Sequence, residues 1–420
     1  MRFPSFARAC GLACTALLLS SAAVRAADPV PSDLALAVRS AWTHHPASEA
    51  TEQTLRAARA RAQSASRPLY NPELEFEVED EGNDRSATAG VGLTFDVSGK
   101  RRARSALGAA DLTLAEAEAA LRRTQFAQRW LQAWAERLAA NERVRLGEQR
   151  VVLVQRFADL AQRQLDVGDI STLERDLALL ARDEAQAEQA TLISEAATAD
   201  ENFFAVGGNS SEASQPAVAP PPWDAAEEGR LSDTPEARVA ATSAASSSRR
   251  IDVARSDRRP DPTVSVRGGR IDLGPTSDNV LGVSVSVPLF VRNSFAADVV
   301  AAQADAEASL AEQRRVELEL RARAERTVRT YEAVRTAWER WSQSTGTDVA
   351  KRADLLERLW RAGEISTADY LIQLKQSLDT ALAGADLHGR LWRSYVDALY
   401  ATGRLDAWIG FDRSNSEVFP

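Results

Sequence analysis

The sequence predicts an internally duplicated α+β membrane fold, in which two strand hairpins each feed a helix far longer than a globular domain needs. Three observations carry this prediction. Residues 73–81 read ELEFEVEDE, which places Glu73, Glu75, Glu77 and Glu79 on one side of a strand and Leu74, Phe76 and Val78 on the other, because side chains alternate with period two. Two proline-free runs rich in alanine, leucine, glutamate, glutamine and arginine, at about 98–165 and 293–362, read as helices. At 1.5 Å per residue each would be roughly 100 Å long and would need a partner along its length. Each run ends in the same turn, LDVGDISTLERD in one and WRAGEISTADYL in the other.

In chain order, residues 1–26 read as a secretory leader: Arg2 and Arg8 precede an apolar stretch that ends in small residues near Ala26. The only cysteines, Cys10 and Cys14, fall within it, so the exported part is expected to have neither disulfides nor thiol chemistry. A first repeat is expected over 27–206, with helices before a hairpin at 72–97, the long helix 98–165 and a return helix. An irregular linker at 207–234 contains Gly207, Gly208 and Pro220 to Pro222. A second repeat over 235–403 holds a hairpin at 262–290, the long helix 293–362, which contains Gly346, and a return helix at 366–402. Residues 404–420 are expected to form a tail. Pro72 and Gly92 match Pro262 and Gly282 at one constant offset, while Gly168 matches Gly363 at a slightly longer one. Gly168 and Gly363 stand where a helix ends in a left-handed residue, and Ser171 and Ser366, or the threonines beside them, can cap the helices that follow.

All four strands alternate. Val91, Leu93, Phe95 and Val97 oppose Gly92, Thr94, Asp96 and Ser98, Val264 and Val266 oppose Ser265 and Arg267, and Val283, Val285 and Val287 oppose Ser284 and Ser286. Their lengths approach that of a tilted membrane-spanning strand. No stretch after the leader approaches the roughly 20 apolar residues of a membrane helix, so any crossing would be a β-barrel. Four strands cannot close a barrel, and open edges are not tolerated in lipid, so other copies of the chain would have to complete the sheet. The apolar faces would then meet lipid, while Glu73, Glu75, Glu77, Glu79, Asp96, Ser284 and Ser286 would line an aqueous pore. A helix-covered soluble sheet with its glutamates in water also fits the strands alone, but leaves the two long helices unexplained.

This order of helix, hairpin, long helix and glycine-turned return helix, repeated, resembles the outer-membrane factor family, the exit channels of bacterial tripartite efflux and type I secretion systems. The resemblance covers essentially the whole chain after the leader. It implies a homotrimer in which four strands per chain make a 12-stranded barrel, continuing into a periplasmic α-helical barrel. It also implies the outer membrane of a Gram-negative bacterium, with contacts to lipid, a periplasmic adaptor and a proton-driven inner-membrane pump. Within the family the heavy-metal branch has GKR-x-x-R at the first strand-to-helix junction and PL-x-x-x-x-N at the second. Here these are Gly99, Lys100, Arg101 and Arg104, then Pro288, Leu289 and Asn293. Gly99 and Pro288 would redirect the chain between barrel and tunnel, while the basic residues would sit near the inner headgroups, pair with helix carboxylates or simply face water.

The resemblance places the two glycine turns at the periplasmic tip. Asp169, Glu174, Glu364 and Asp369 are therefore gate candidates, repeated acids that would form anionic rings or simply favour helix N-termini. Arg163, Leu165, Gly168, Arg358, Trp360 and Gly363 are adaptor-contact candidates, although Trp360 could instead pack between helices. After the leader there is no cysteine or methionine, and the only histidines are His44, His45 and His388, so no soft-metal or histidine-rich site is expected. No nucleophile–base arrangement or phosphate loop points to an enzyme, and no cofactor is implied. A net charge of −9 argues against nucleic acid. The expected function is passive export of heavy-metal cations such as cobalt, zinc, cadmium or copper. Drug efflux or type I secretion through the same channel, and a soluble periplasmic coiled-coil adaptor, are the alternatives.

Overall fold

The computed structural model describes residues 32–82, 84–209, 219–224, 231–273, 276–343 and 349–411. The expected leader with its two cysteines, parts of the linker, Gly346 and the last nine positions lie outside these residues.

Two helices open the chain, α1 (Ser32–His44) and α2 (Pro46–Ser66). Proline at the first turn of α2 separates the two helices, and the His45 ring accepts from the Ala47 N–H at 3.1 Å as the N-cap. Strands β1 (Glu73–Glu81) and β2 (Asp84–Thr94) form the first hairpin and lead into α3 (Lys100–Val167), whose 68 residues span about 100 Å. The return helix is α4 (Thr172–Ala205). Then come α5 (Pro235–Asp257), β3 (Thr263–Leu273), β4 (Thr276–Ser286), α6 (Ala296–Gln343), α7 (Val349–Arg361), α8 (Thr367–Ala401) and the short α9 (Leu405–Ile409). The second long helix of the sequence reading is thus described as α6 and α7, with the residues between them outside the description.

The strands form one antiparallel sheet in the order β1-β2-β3-β4, so the two hairpins join through β2 and β3. Among the described residues nothing pairs with the outer edges of β1 and β4. β2 ends at Thr94 and β4 at Ser286, which corrects the expectation that the strands run on to 97 and 290.

α3 is the spine, and α2, α4, α5 and α8 all contact it. Its two internal glycines sit where neighbours come closest. A Cβ on Gly108 would lie 2.9 Å from the Ala65 Cβ of α2, and one on Gly147 would lie 2.7 Å from Leu192 Cδ1 of α4. Around Trp130 and Trp134 of α3 an aromatic core gathers Phe126, Phe203, Tyr331, Trp392 and Tyr395, with Trp134 and Trp392 edge-to-face at 5.3 Å. Leu405, Ile409 and Phe411 are buried in this same core, so residues 405–411 are a packed element and not the tail expected from the sequence.

Between that core and the glycine turns, α3 is bound to both return helices by arginine layers. Arg143 reaches Glu195 of α4 at 3.5 Å and Asp386 of α8 at 2.9 Å. One heptad further on, Arg150 pairs with Glu188 of α4 and, at 3.5 Å, with Asp379 of α8. All three partners shift by seven residues, as helices in heptad register require. One heptad back the polarity inverts, with Arg393 of α8 paired to Glu136 of α3.

Arg150 is 4% exposed, so its removal strands two carboxylates at a helix interface. We expect Arg150→Met to lower stability by about 2 kcal/mol, less than for a fully buried pair because Glu188 and Asp379 keep partial access to water. The measurement is the guanidinium midpoint of helix loss in detergent.

Candidate functional site

The sheet has two chemically different faces, fixed by register. On one, Glu73 shares a row with Gly92, Ser265 and Ser284, and Glu75 shares the next with Gly90, Arg267 and Gly282. Glu73, Glu75, Glu77, Glu79, Ser284 and Ser286 all lie on this face, as the alternation requires, and all are exposed except Ser284, which is half-buried. Ser284 Oγ lies 2.7 Å from Ser265 Oγ. On the other face Leu74, Val91, Val266 and Val283 share a row, and Phe76, Ala89, Gly268 and Leu281 the next. These apolar side chains are open to their surroundings, Phe76 at 74% and Leu281 at 81% exposure, and Phe95, Val97, Val287 and Leu289 prolong the exposed apolar stretch past the ladder. Toward the hairpin ends this face turns charged, with Arg85–Asp80 at 2.9 Å and Arg270–Asp272 at 3.2 Å. No described helix is long and apolar enough to cross a membrane.

Asp96 does not line this surface. The chain has left the sheet by then, and its carboxylate accepts the N–H groups of Lys100 at 2.9 Å and Arg101 at 2.8 Å, capping α3 because Gly99, in the left-handed region at φ 73°, has no side chain to do so. Burial raises the Asp96 pKa, but hydrogen bonds from backbone N–H groups at residues 98–101 outweigh it and hold the carboxyl below its usual range.

Lys100 likewise departs from all three roles expected of it. Its side chain turns inward and meets Asp261, which precedes β3, at 3.0 Å, with exposures of 10% and 2%. Asp261 also accepts from Tyr70 Oη at 2.8 Å and from the Val97 N–H at 3.3 Å. Burial, with the hydrogen bond to Asp261 next, pushes the Tyr70 phenol up to about 12. One buried carboxylate therefore ties together the chain entering β1, the β2–α3 turn and the chain entering β3. Arg101 is exposed and Arg104 half-buried, and neither makes an ion pair among the described residues. Beyond β4, Pro288 follows the sheet and Asn293 Oδ1 accepts the Phe295 N–H at 3.0 Å just before α6.

At the far end Gly168 and Gly363 both adopt positive φ, 85° and 73°, and close their helices. Ser171 and Ser366 cap α4 and α8, and the neighbouring threonines do not. Glu174 completes a capping box with Ser171 and also accepts from Thr367 Oγ1 at 3.2 Å, while Thr367 accepts from Trp360 Nε1 at 3.0 Å. The two glycine turns are thus joined by a chain of hydrogen bonds. Trp360 is buried against Phe157 and Tyr370, which removes it from the adaptor-contact candidates. Asp369 accepts from Ser366 Oγ at 2.7 Å and stays exposed, as do Asp169, Glu364, Arg163, Arg358, Gly168 and Gly363, with Leu165 half-exposed. Among the described residues no group of three or more histidine, cysteine, aspartate or glutamate side chains is placed to hold a metal ion. Asp261 and Tyr70 were missed by sequence reasoning, since their partners lie in the other half of the chain, and Thr367 was read only as a possible helix cap.

The chain thus mounts a two-faced, edge-open sheet on a helical spine of about 100 Å. Solved structures show that fold directly. VceC from Vibrio cholerae, an outer membrane protein, superposes with a TM-score of 0.72 at 16% identity, covering 89% of this chain and 96% of that one. The Campylobacter jejuni CmeC outer membrane channel gives 0.73 at 12%, covering 92% and 89%. In sequence, the chain is 31% identical over 239 residues to the cobalt-zinc-cadmium resistance protein CzcC of Cupriavidus metallidurans, 54% of this chain. It is 26% identical over 309 residues to the nickel-cobalt-cadmium resistance protein NccC of Alcaligenes xylosoxydans xylosoxydans, 69% of this chain. The chain spans 56% of the length of CzcC and 69% of NccC. No protein-family model matches. The resemblance to the outer-membrane factor family therefore rests on both fold and sequence, and the sequence likeness falls in its heavy-metal branch.

Two outcomes test this geometry. Lys100→Met leaves Asp261 buried with a negative charge, and we expect a loss of about 3 kcal/mol that the paired change Lys100→Met with Asp261→Asn, which removes the charge but keeps an acceptor for Tyr70 and Val97, partly restores; thermal unfolding of the purified chain reads both. Hydrogen bonds from Ser171, its backbone N–H first, hold the Glu174 carboxyl below the usual carboxylate range. A lowered carboxylate stabilises above its unfolded pKa, and that contribution disappears as pH falls through the folded value. Proteolysis at the turns should therefore accelerate on acidification below about pH 4 in the wild type, and Glu174→Ala should already show the faster rate at neutral pH.

Proposed function

We propose that three copies of this chain form a channel through the outer membrane, with the glutamate face as lumen and the apolar face against lipid, passively exporting heavy-metal cations. The observation that carries this reading is the sheet, apolar and exposed on one side, anionic on the other and unpaired at both edges. In water that apolar face would be a large liability, and in lipid the open edges would each leave several backbone groups unsatisfied. Joining β1 of one copy to β4 of the next removes both problems, and three such joints give twelve strands. The homotrimer is also what the family resemblance implies.

The helical extension spans the periplasm in this reading, and its glycine turns meet an adaptor bound to a proton-driven inner-membrane pump. Exposed Arg163, Arg358, Gly168 and Gly363, with half-exposed Leu165, form the contact, and Asp169, Glu364 and Asp369 supply the anionic ring of the gate. The cargo follows from the likeness to two proteins named for metal resistance, cobalt and cadmium being common to both names. The anionic lumen is consistent with cations in transit, and the chain itself performs no catalysis.

Deleting the chain should lower tolerance to cobalt, zinc or cadmium severalfold and raise the intracellular content of the same ion, with drug retention unchanged. Unchanged metal tolerance combined with retention of drugs would overturn the cargo.

A further inference from the structure

We propose that Arg267 sets the charge selectivity of the lumen, its guanidinium serving as a fixed counter-cation to the glutamates of β1. The inference rests on the channel reading above and adds to it a residue that controls what passes. Arg267 is the single basic residue among the described strand positions of the anionic face, set against Glu73, Glu75, Glu77 and Glu79 of β1 and Asp278 of β4. Its row reads Glu75, Gly90, Arg267, Gly282, so glycines stand on both sides of it.

Those glycines make room for the side chain. A Cβ on Gly90 would lie 3.0 Å from Arg267 Cβ, and one on Gly282 would lie 3.4 Å from both Cγ and Nε. The guanidinium Nη1 reaches Oε2 of Glu77 at 3.6 Å, although Glu77 lies on β1 and the whole of β2 intervenes. Both side chains are more than half exposed. An ion pair so open to water adds little to stability, so the fold does not need it. Its effect falls on the aqueous face, where a ring of fixed charge governs which ions enter and how long they stay. In a trimer Arg267 contributes three positive charges beside the glutamate strands. A passing cation has to compete with each guanidinium for Glu77, which keeps the lumen permissive to cations without letting them lodge there.

The test is the reversal potential of the purified full chain in planar bilayers under a potassium chloride gradient. Arg267→Gln should raise the potassium-to-chloride permeability ratio by about two-fold or more, Glu77→Gln should lower it, and Arg267→Lys should stay near wild type. Opposite shifts from the two partners cannot arise from a general loss of packing, which would instead reduce insertion frequency in both. If the wild type conducts and Arg267→Gln leaves the reversal potential unchanged, or if Arg267→Lys shifts it as far as Arg267→Gln does, the role of Arg267 is overturned while the channel stands. If the wild type forms no conducting channel, the channel reading is overturned and the role of Arg267 falls with it.

Discussion

Hydrogen-bond satisfaction at the two outer edges of a four-stranded sheet is the constraint from which the rest of the molecule follows. β1 and β4 each present a row of backbone N–H and C=O groups with no partner among the described residues, and the face they border is apolar. A soluble protein would cover that face or blunt those edges with charge or proline. Here the inner part of the apolar face is bare, and charges gather only near the hairpin ends, where Asp80, Arg85, Arg270 and Asp272 stand. That distribution matches an apolar band with a polar rim, and assembly with other copies is the proposed solution for the edges.

The sheet has to be aimed as well as completed. Asp261 does this by holding Lys100, Tyr70 and the Val97 backbone in one buried cluster, so both hairpins leave the helical body from a common point. The ion pair is not chiefly a source of stability, because desolvating both charges offsets most of their attraction. Its value lies in geometry: a lysine and a carboxylate excluded from water accept few alternative arrangements. At the opposite end the Trp360–Thr367–Glu174 hydrogen bonds do the same for the two glycine turns. Between these fixed ends the arginine layers keep α4 and α8 in heptad register with α3.

Local patterns made much of this legible in the sequence. Alternation in ELEFEVEDE and in the valine strands gave the faces correctly, since a strand's two sides depend only on parity. Gly168, Ser171, Gly363 and Ser366 announced their turns because positive φ and N-capping restrict residue type. What escaped depends on distant partners. Nothing near Lys100 points to Asp261, and nothing near Trp360 tells a buried ring from an exposed one. The short α9 lacks the periodicity that would mark it, yet Leu405 and Ile409 are almost wholly buried. Asp96 misled because it continues the strand's parity while already serving as the cap of α3.

Single cysteines placed in turn at positions 73 to 79 test the central claim most directly, since the only native cysteines, Cys10 and Cys14, precede residue 26. In outer-membrane preparations the odd positions should react with a charged, water-soluble thiol reagent, while the even positions should be protected from it and, once carrying a polarity-sensitive fluorophore, report a hydrocarbon environment. That alternation would establish a sheet with lipid on one side and water on the other. Equal reaction of odd and even positions with the aqueous reagent would show both faces in water and contradict the account.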